Sequence, residues 1–150
     1  MKRKYIIALC GEDGSGKTET LQALIDKLGF KNESRNWKNW IARGAYKDTG
    51  ITMAVHCGGD KINEVIAELQ EYVDNNVQII VTAVHHGEKN IGKLQATFSG
   101  YTVVEFMKFK MSTIQNVDPE IQKLFEKAWG KVIGHYVDVL LEFIDELLNL

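Results

Sequence analysis

The strongest constraint in this 150-residue sequence is one junction near its start. Tyr5-Ile6-Ile7-Ala8-Leu9-Cys10 is a short apolar run, β-branched at its centre, and reads as a buried parallel strand. From Glu19 to Leu28, apolar residues recur at helical spacing (Leu21, Leu24, Ile25, Leu28) and the pattern stops at Gly29. Between the two lies Gly11-Glu12-Asp13-Gly14-Ser15-Gly16-Lys17-Thr18, which fits G-x-x-x-x-G-K-[ST] at every defined position. Strand, glycine-rich turn and helix follow one another with no residue to spare.

Glycines at 11, 14 and 16 let the backbone turn back on itself in conformations that a side chain penalises. Successive N–H groups then point inward, and the positive end of the following helix adds to the same field. Lys17 is placed to reach phosphate as a point charge, and the Thr18 hydroxyl is the hard oxygen ligand that Mg²⁺ prefers. On these residues the chain resembles the P-loop nucleoside triphosphatase superfamily, the resemblance covering residues 5–28. It implies an α/β fold of three α/β/α layers around a mostly parallel sheet, to which the residues read below add an antiparallel edge hairpin and a long C-terminal helix. It also implies that Gly11, Glu12, Asp13, Gly14, Ser15, Gly16, Lys17, Thr18 and Glu19 bind nucleotide. The acids Glu12 and Asp13 either solvate the loop or turn away from phosphate unless Mg²⁺ is present.

One domain with one core suits this length. A formal charge of −2 offers no strong nucleic-acid signal, which shows as a clearly basic domain. No stretch approaches the length of a membrane span. Met1-Lys2-Arg3-Lys4 is followed by an apolar run too short for a secretion signal. Cys10 and Cys57 end predicted buried strands and read as free apolar thiols. A cytoplasmic protein without membrane partners is the expectation.

The P-loop partner carboxylate is harder to find. Asp60, behind the strand Ile51–Cys57 and two glycines, is the candidate second magnesium ligand and catalytic acid alongside Lys17. It is equally well placed as the N-cap of a helix from Lys61 to Asp74, striped by Ile62, Val65, Ile66, Leu69 and Val73. Trp40–Tyr46, the turn Lys47-Asp48-Thr49-Gly50 and Ile51–Cys57 read as a hairpin, its first strand at the sheet edge. Residues 30–44 hold two of the three tryptophans with Arg35 and Arg43. They suit a phosphorylated acceptor, or simple packing of Trp37 and Trp40 on the sheet edge.

Val77–Val84 reads as a central strand, and His85-His86-Gly87-Glu88-Lys89-Asn90 as the loop at its carboxyl end, where open α/β sheets bind ligands. Thr82, His85, His86 and Lys89 are therefore candidate contacts to phosphate or acceptor, beside the reading of a plain surface loop. Adjacent histidines on an extended chain point apart, which argues against a shared metal. A short helix over 91–98 and a strand over 101–109 follow, then residues 110–117, where an adenine contact would lie.

Asp118-Pro119-Glu120 starts a helix that can run to the C-terminus. One stripe runs Ile121, Leu124/Phe125, Ala128, Val132, Tyr136, Val139/Leu140, Phe143 and Leu147, widened by Trp129, Ile133, Val137, Leu141, Ile144 and Leu148. Gly130 and Gly134 permit a close backbone approach or a bend. So apolar a helix covers the sheet, with a homodimer contact through 136–150 as a further possibility.

Three functional classes fit the loop. One is a Mg²⁺-dependent ATP enzyme, a small kinase-like phosphotransferase or ATPase acting on an unknown small acceptor or on water. The second is a GTP-binding regulatory switch, which lacks here both an Asn/Thr-Lys-x-Asp motif after a late strand and an Asp-x-x-Gly motif. The third is a nucleotide-binding module completed by a partner's arginine. ATP is the expected nucleotide, with Arg35 and Arg43 the arginines available in cis.

Overall fold

The strand Tyr5–Gly11 is buried at all seven positions because helices cover both faces of the sheet and a strand pairs with it on either side. The computed structural model describes residues 3–11, 16–33, 40–58, 61–85, 88–109 and 119–149. Their elements are β1 (Tyr5–Gly11), α1 (Lys17–Leu28), β2 (Lys31–Asn32), β3 (Trp40–Tyr46) and β4 (Ile51–Cys57). Then come α2 (Ile62–Asp74), β5 (Ile79–His85), α3 (Glu88–Thr97), β6 (Thr102–Phe109) and α4 (Pro119–Leu148). The strand order is β2-β3-β4-β5-β1-β6. β4, β5, β1 and β6 are mutually parallel, while β3 pairs antiparallel with β4, and β2 with β3. This is an α/β fold with a mostly parallel sheet. The expected hairpin is present with the expected bounds, but β2 pairs with part of β3, so β3 is not a bare edge.

Side-chain alternation splits the core in two. Ile7 and Leu9 join Leu21, Leu24 and Ile25 of α1 and Val137, Leu140 and Ile144 of α4. Ile6 and Ala8 face the other way, toward Val65, Leu69 and Tyr72 of α2, Leu94 of α3 and Phe98 just after it. From β1 the chain moves one way along the sheet over the α1 face, then returns and passes β1 over the opposite face. Direction and face reverse together, which keeps one hand of crossover. Cys10 and Cys57 belong to opposite cores and are free thiols, as expected.

Two helix readings need correction. The N-cap of α2 is Lys61, in an extended conformation (φ −100°, ψ 130°), whose carbonyl accepts from the N–H groups of Glu64 and Val65. The cap does not fall on Asp60, which lies outside the described residues. Among the described residues of α4 the buried stripe is Ile133, Val137, Leu140 and Ile144, and of the described part of the expected stripe Leu140 alone is fully buried. Leu124 is 68% exposed and Val132 36%; the side chains of Ile121 and Phe125 lie outside those described. α4 is apolar on more than one face, so periodicity alone does not choose the face; contact with α1 and the sheet does. Nothing lies within 4 Å of where a Cβ would sit on Gly130 or Gly134, and the helix runs through both. Pro119 opens it and Glu120 lies in its first turn, as expected; the proposed cap, Asp118, lies outside the described residues.

The direction of α4 follows from its two ends. Near its C-terminus, Asp145 accepts hydrogen bonds from Tyr46 Oη (2.6 Å) and Lys47 Nζ (2.7 Å), at the amino edge of the parallel strands. Sixteen residues earlier, Trp129 packs against Gly16 at the carboxyl edge. Sixteen residues of helix span ~24 Å, and a seven-residue strand ~23 Å. The ten residues ahead of Trp129 therefore project ~15 Å past the carboxyl edge. The segment considered for a homodimer, 136–150, spends Val137, Leu140 and Ile144 on the chain's own core.

Candidate functional site

Three parallel strands end level with one another, Gly11 being paired with His85 of β5 and Phe109 of β6. Next to this edge the β1–β6 register shifts by one residue between Leu9 and Cys10, leaving Met107 as an extra residue in β6. A bulge here re-aims the backbone where the strands open into loops. The edge is also where connections leave toward opposite faces, β1 into α1 and β5 into α3. Open α/β sheets take their ligands at such a switch point.

α1 starts here, on Gly16. This glycine adopts a left-handed backbone (φ 93°, ψ 12°) and provides no side-chain cap. A helix leaves its first N–H groups without intrahelical partners, so an uncapped start presents donors and the positive end of the helix dipole outward. Lys17, the first helical residue, turns its Nζ back to the Gly11 carbonyl (2.5 Å) and the Val84 carbonyl (3.2 Å). One ammonium thus ties the ends of β1 and β5 to the start of α1. Thr18 and Glu19 follow in the first turn, both exposed. Thr20, which sequence reasoning passed over, is fully buried and donates from Oγ1 to the Gly16 carbonyl (2.8 Å). A threonine bonding back four residues is a recognised habit within helices, and it braces the turn on which the loop closes.

The structure gathers Gly11, Gly16, Lys17, Thr18 and Glu19 at this point, with His85 level beside them on β5. Glu12, Asp13, Gly14, Ser15, Arg35, Asp60 and His86 lie outside the described residues. Arg43 does not join the group. Through Ala54 and Ile80 its register runs to Ile6, five residues below Gly11 and three strands away. That places its backbone roughly 20 Å from the loop. There it pairs with Glu33 (3.0 Å) and Glu71 (3.8 Å) and lies over the Tyr72 ring. Thr82 is likewise removed from the crevice: it is fully buried, with Oγ1 3.0 Å from His56 Nδ1. Lys89 and Asn90 belong to α3, which begins at Glu88 rather than 91; Asn90 Nδ2 donates to the His85 carbonyl (3.1 Å).

Sequence reasoning also missed the group behind Thr82. His56, fully buried on β4, hydrogen-bonds through Nε2 to the Glu68 carboxylate of α2. A histidine inside an apolar strand and a glutamate amid the buried positions 65, 69 and 72 were the available signals, since each needs a polar partner. Between α1 and α4 runs a groove of about 250 Å³ lined by Ala23, Lys27, Gly134, Val137 and Asp138, further along α1 than Lys17. Among the described residues, no helix is long and apolar enough to cross a membrane.

Taken as a class, the fold is an α/β sheet with helices on both faces and its loop-bearing edge at a topological switch point. No family model and no curated protein matches the chain. Among solved structures it is similar to that described as the crystal structure of APE1195, with 15% identity, a TM-score of 0.52, and coverage of 99% of this chain and 98% of that one. The likeness concerns the fold alone.

Proposed function

We propose that this chain is a P-loop nucleotide-binding protein that takes Mg²⁺·ATP on residues 11–19 and acts as a small phosphotransferase or ATPase. One observation carries the reading: the Lys17 ammonium, held by the Gly11 and Val84 carbonyls at the uncapped start of α1. Cation, the first N–H groups of the helix and the helix dipole meet there, the arrangement that suits an anion of several charges. The residues present fit the group. A lysine held by carbonyls of two adjacent strands can exchange them for phosphate oxygens with no change in backbone, and Gly16 keeps a side chain out of the turn. Thr18 would supply the hydroxyl for magnesium, with Asp60 as the carboxylate candidate from sequence. Magnesium, when bound, neutralises phosphate charge, so this chain's task is to hold the phosphates and exclude competing geometries.

The test is thermal stabilisation by Mg²⁺ with ATP, GTP or neither, in the wild type and in Lys17→Ala. The proposal expects a saturable rise in melting temperature with ATP that is absent in Lys17→Ala. An unaltered ATP-dependent rise in a folded Lys17→Ala protein would overturn it. A larger rise with GTP would replace ATP as the nucleotide.

A further inference from the structure

The loop end of α1 is bordered by an aromatic side chain that docking alone does not require. α4 is seated by Ile133, Val137, Leu140 and Ile144, all at most 7% exposed. Trp129 lies one turn beyond that stripe and stays half-buried. Its ring rests on Gly16: a Cβ there would stand 2.5 Å from Cζ2 and 3.4 Å from Cε2. Its indole takes no hydrogen bond among the described residues. Ahead of it the exposed first turns of α4 stand clear of the sheet edge, so Trp129 lies where that overhang meets the loop.

We propose that Trp129 is the surface against which the base of the bound nucleoside triphosphate packs. The proposal rests on the reading of residues 11–19 as a phosphate loop. If the phosphates are held between Gly11 and Thr18, ribose and base must leave along whatever borders the loop. The border at Gly16 is α4. Lys17 and the helix start neutralise charge but offer a base nothing, whereas an indole offers a flat polarisable face. Aromatic stacking tolerates any base. Trp129 therefore favours a base-bearing triphosphate over bare phosphate without itself choosing adenine over guanine.

The experiment compares ATP with inorganic tripolyphosphate, each with Mg²⁺, by calorimetric titration of wild type, Trp129→Phe and Trp129→Leu. Phenylalanine keeps an aromatic face, and leucine keeps apolar bulk without one, so both leave apolar bulk beside Gly16. The expected result is tighter wild-type binding of ATP than of tripolyphosphate. Trp129→Leu should lose about 5- to 150-fold in ATP affinity, keep its tripolyphosphate affinity, and be largely rescued by Trp129→Phe. Equal losses for both ligands would make Trp129 a packing residue of the loop and overturn the proposal, as would no loss for either. Wild-type protein that binds tripolyphosphate with no advantage for ATP would overturn the role of Trp129 alone. Wild-type protein that binds neither would overturn the phosphate-loop reading beneath it.

Discussion

Gly16→Ala should be among the costliest single-atom changes in this protein, for two separable reasons. The left-handed backbone at 16 (φ 93°) costs a residue with a Cβ ~1–2 kcal/mol. The added atom would also stand 2.5 Å from Trp129 Cζ2 and 3.1 Å from Ile133 Cδ1, well inside contact distance. Overpacking of this kind costs ~1–3 kcal/mol. The sum is about 2–5 kcal/mol, a large share of the ~5–15 kcal/mol that holds a typical domain together. Gly29 supplies the control. It is also left-handed (φ 69°) at the other end of the same helix, with nothing within 4 Å of its Cβ position, so Gly29→Ala meets the backbone cost alone. Urea denaturation of the protein without ligand measures both. Gly16→Ala should exceed Gly29→Ala by ~1–3 kcal/mol, and Trp129→Leu in the same chain should reduce the excess. Equal costs at the two glycines would refute the close packing of α4 on the loop.

The buried stripe of α4 is tested by pairing Leu140→Ala with Leu124→Ala. The first empties a fully buried site and should cost ~2–5 kcal/mol, the second at most about 0.5 kcal/mol, both read from denaturation midpoints. At the other end of α4, the hydrogen bond from Lys47, then that from Tyr46, holds the Asp145 carboxyl below its ordinary pKa. Burial and the bond to Asp145 push the Tyr46 hydroxyl up to about 12. A depressed carboxylate stabilises the fold fully above its unfolded pKa of about 3.9, and loses that contribution as pH falls through the lower folded value. Asp145→Asn should therefore cost ~0.2–1 kcal/mol at neutral pH, the pair being substantially exposed. Its stability should converge on the wild type's in strong acid; a gap that persists unchanged to pH 2 would contradict this.

Legibility followed locality. The hairpin of β3 and β4 was readable because Lys47-Asp48-Thr49-Gly50 carries its own turn chemistry: Lys47 and Gly50 take positive φ, and Thr49 Oγ1 bonds the Tyr46 carbonyl (2.6 Å). The start of α4 was readable because proline and an acid act within one turn. Arg43 was grouped with the phosphate loop as a possible acceptor contact because charge and nearby tryptophans say nothing of strand register. Its place is set by pairing with Ala54, four strands from β6 and under the influence of Glu33 and Glu71. The bond between His56 and Glu68 joins a strand to a helix on its far side, and no sequence period connects them.

Residues 5–28 determined by themselves that a buried strand runs into a glycine turn and a helix bearing Lys17 at its start. Glycine conformational freedom, β-branching and helical spacing all act over a few residues, so the chain states them directly. Tertiary structure alone decided what surrounds that start. The level ends of β1 and β5 bring two carbonyls to one ammonium, and the choice among the apolar faces of α4 lays Trp129 on Gly16. That choice is made by burial against the sheet and against α1, the latter more than a hundred residues away along the chain, where local preference has no reach.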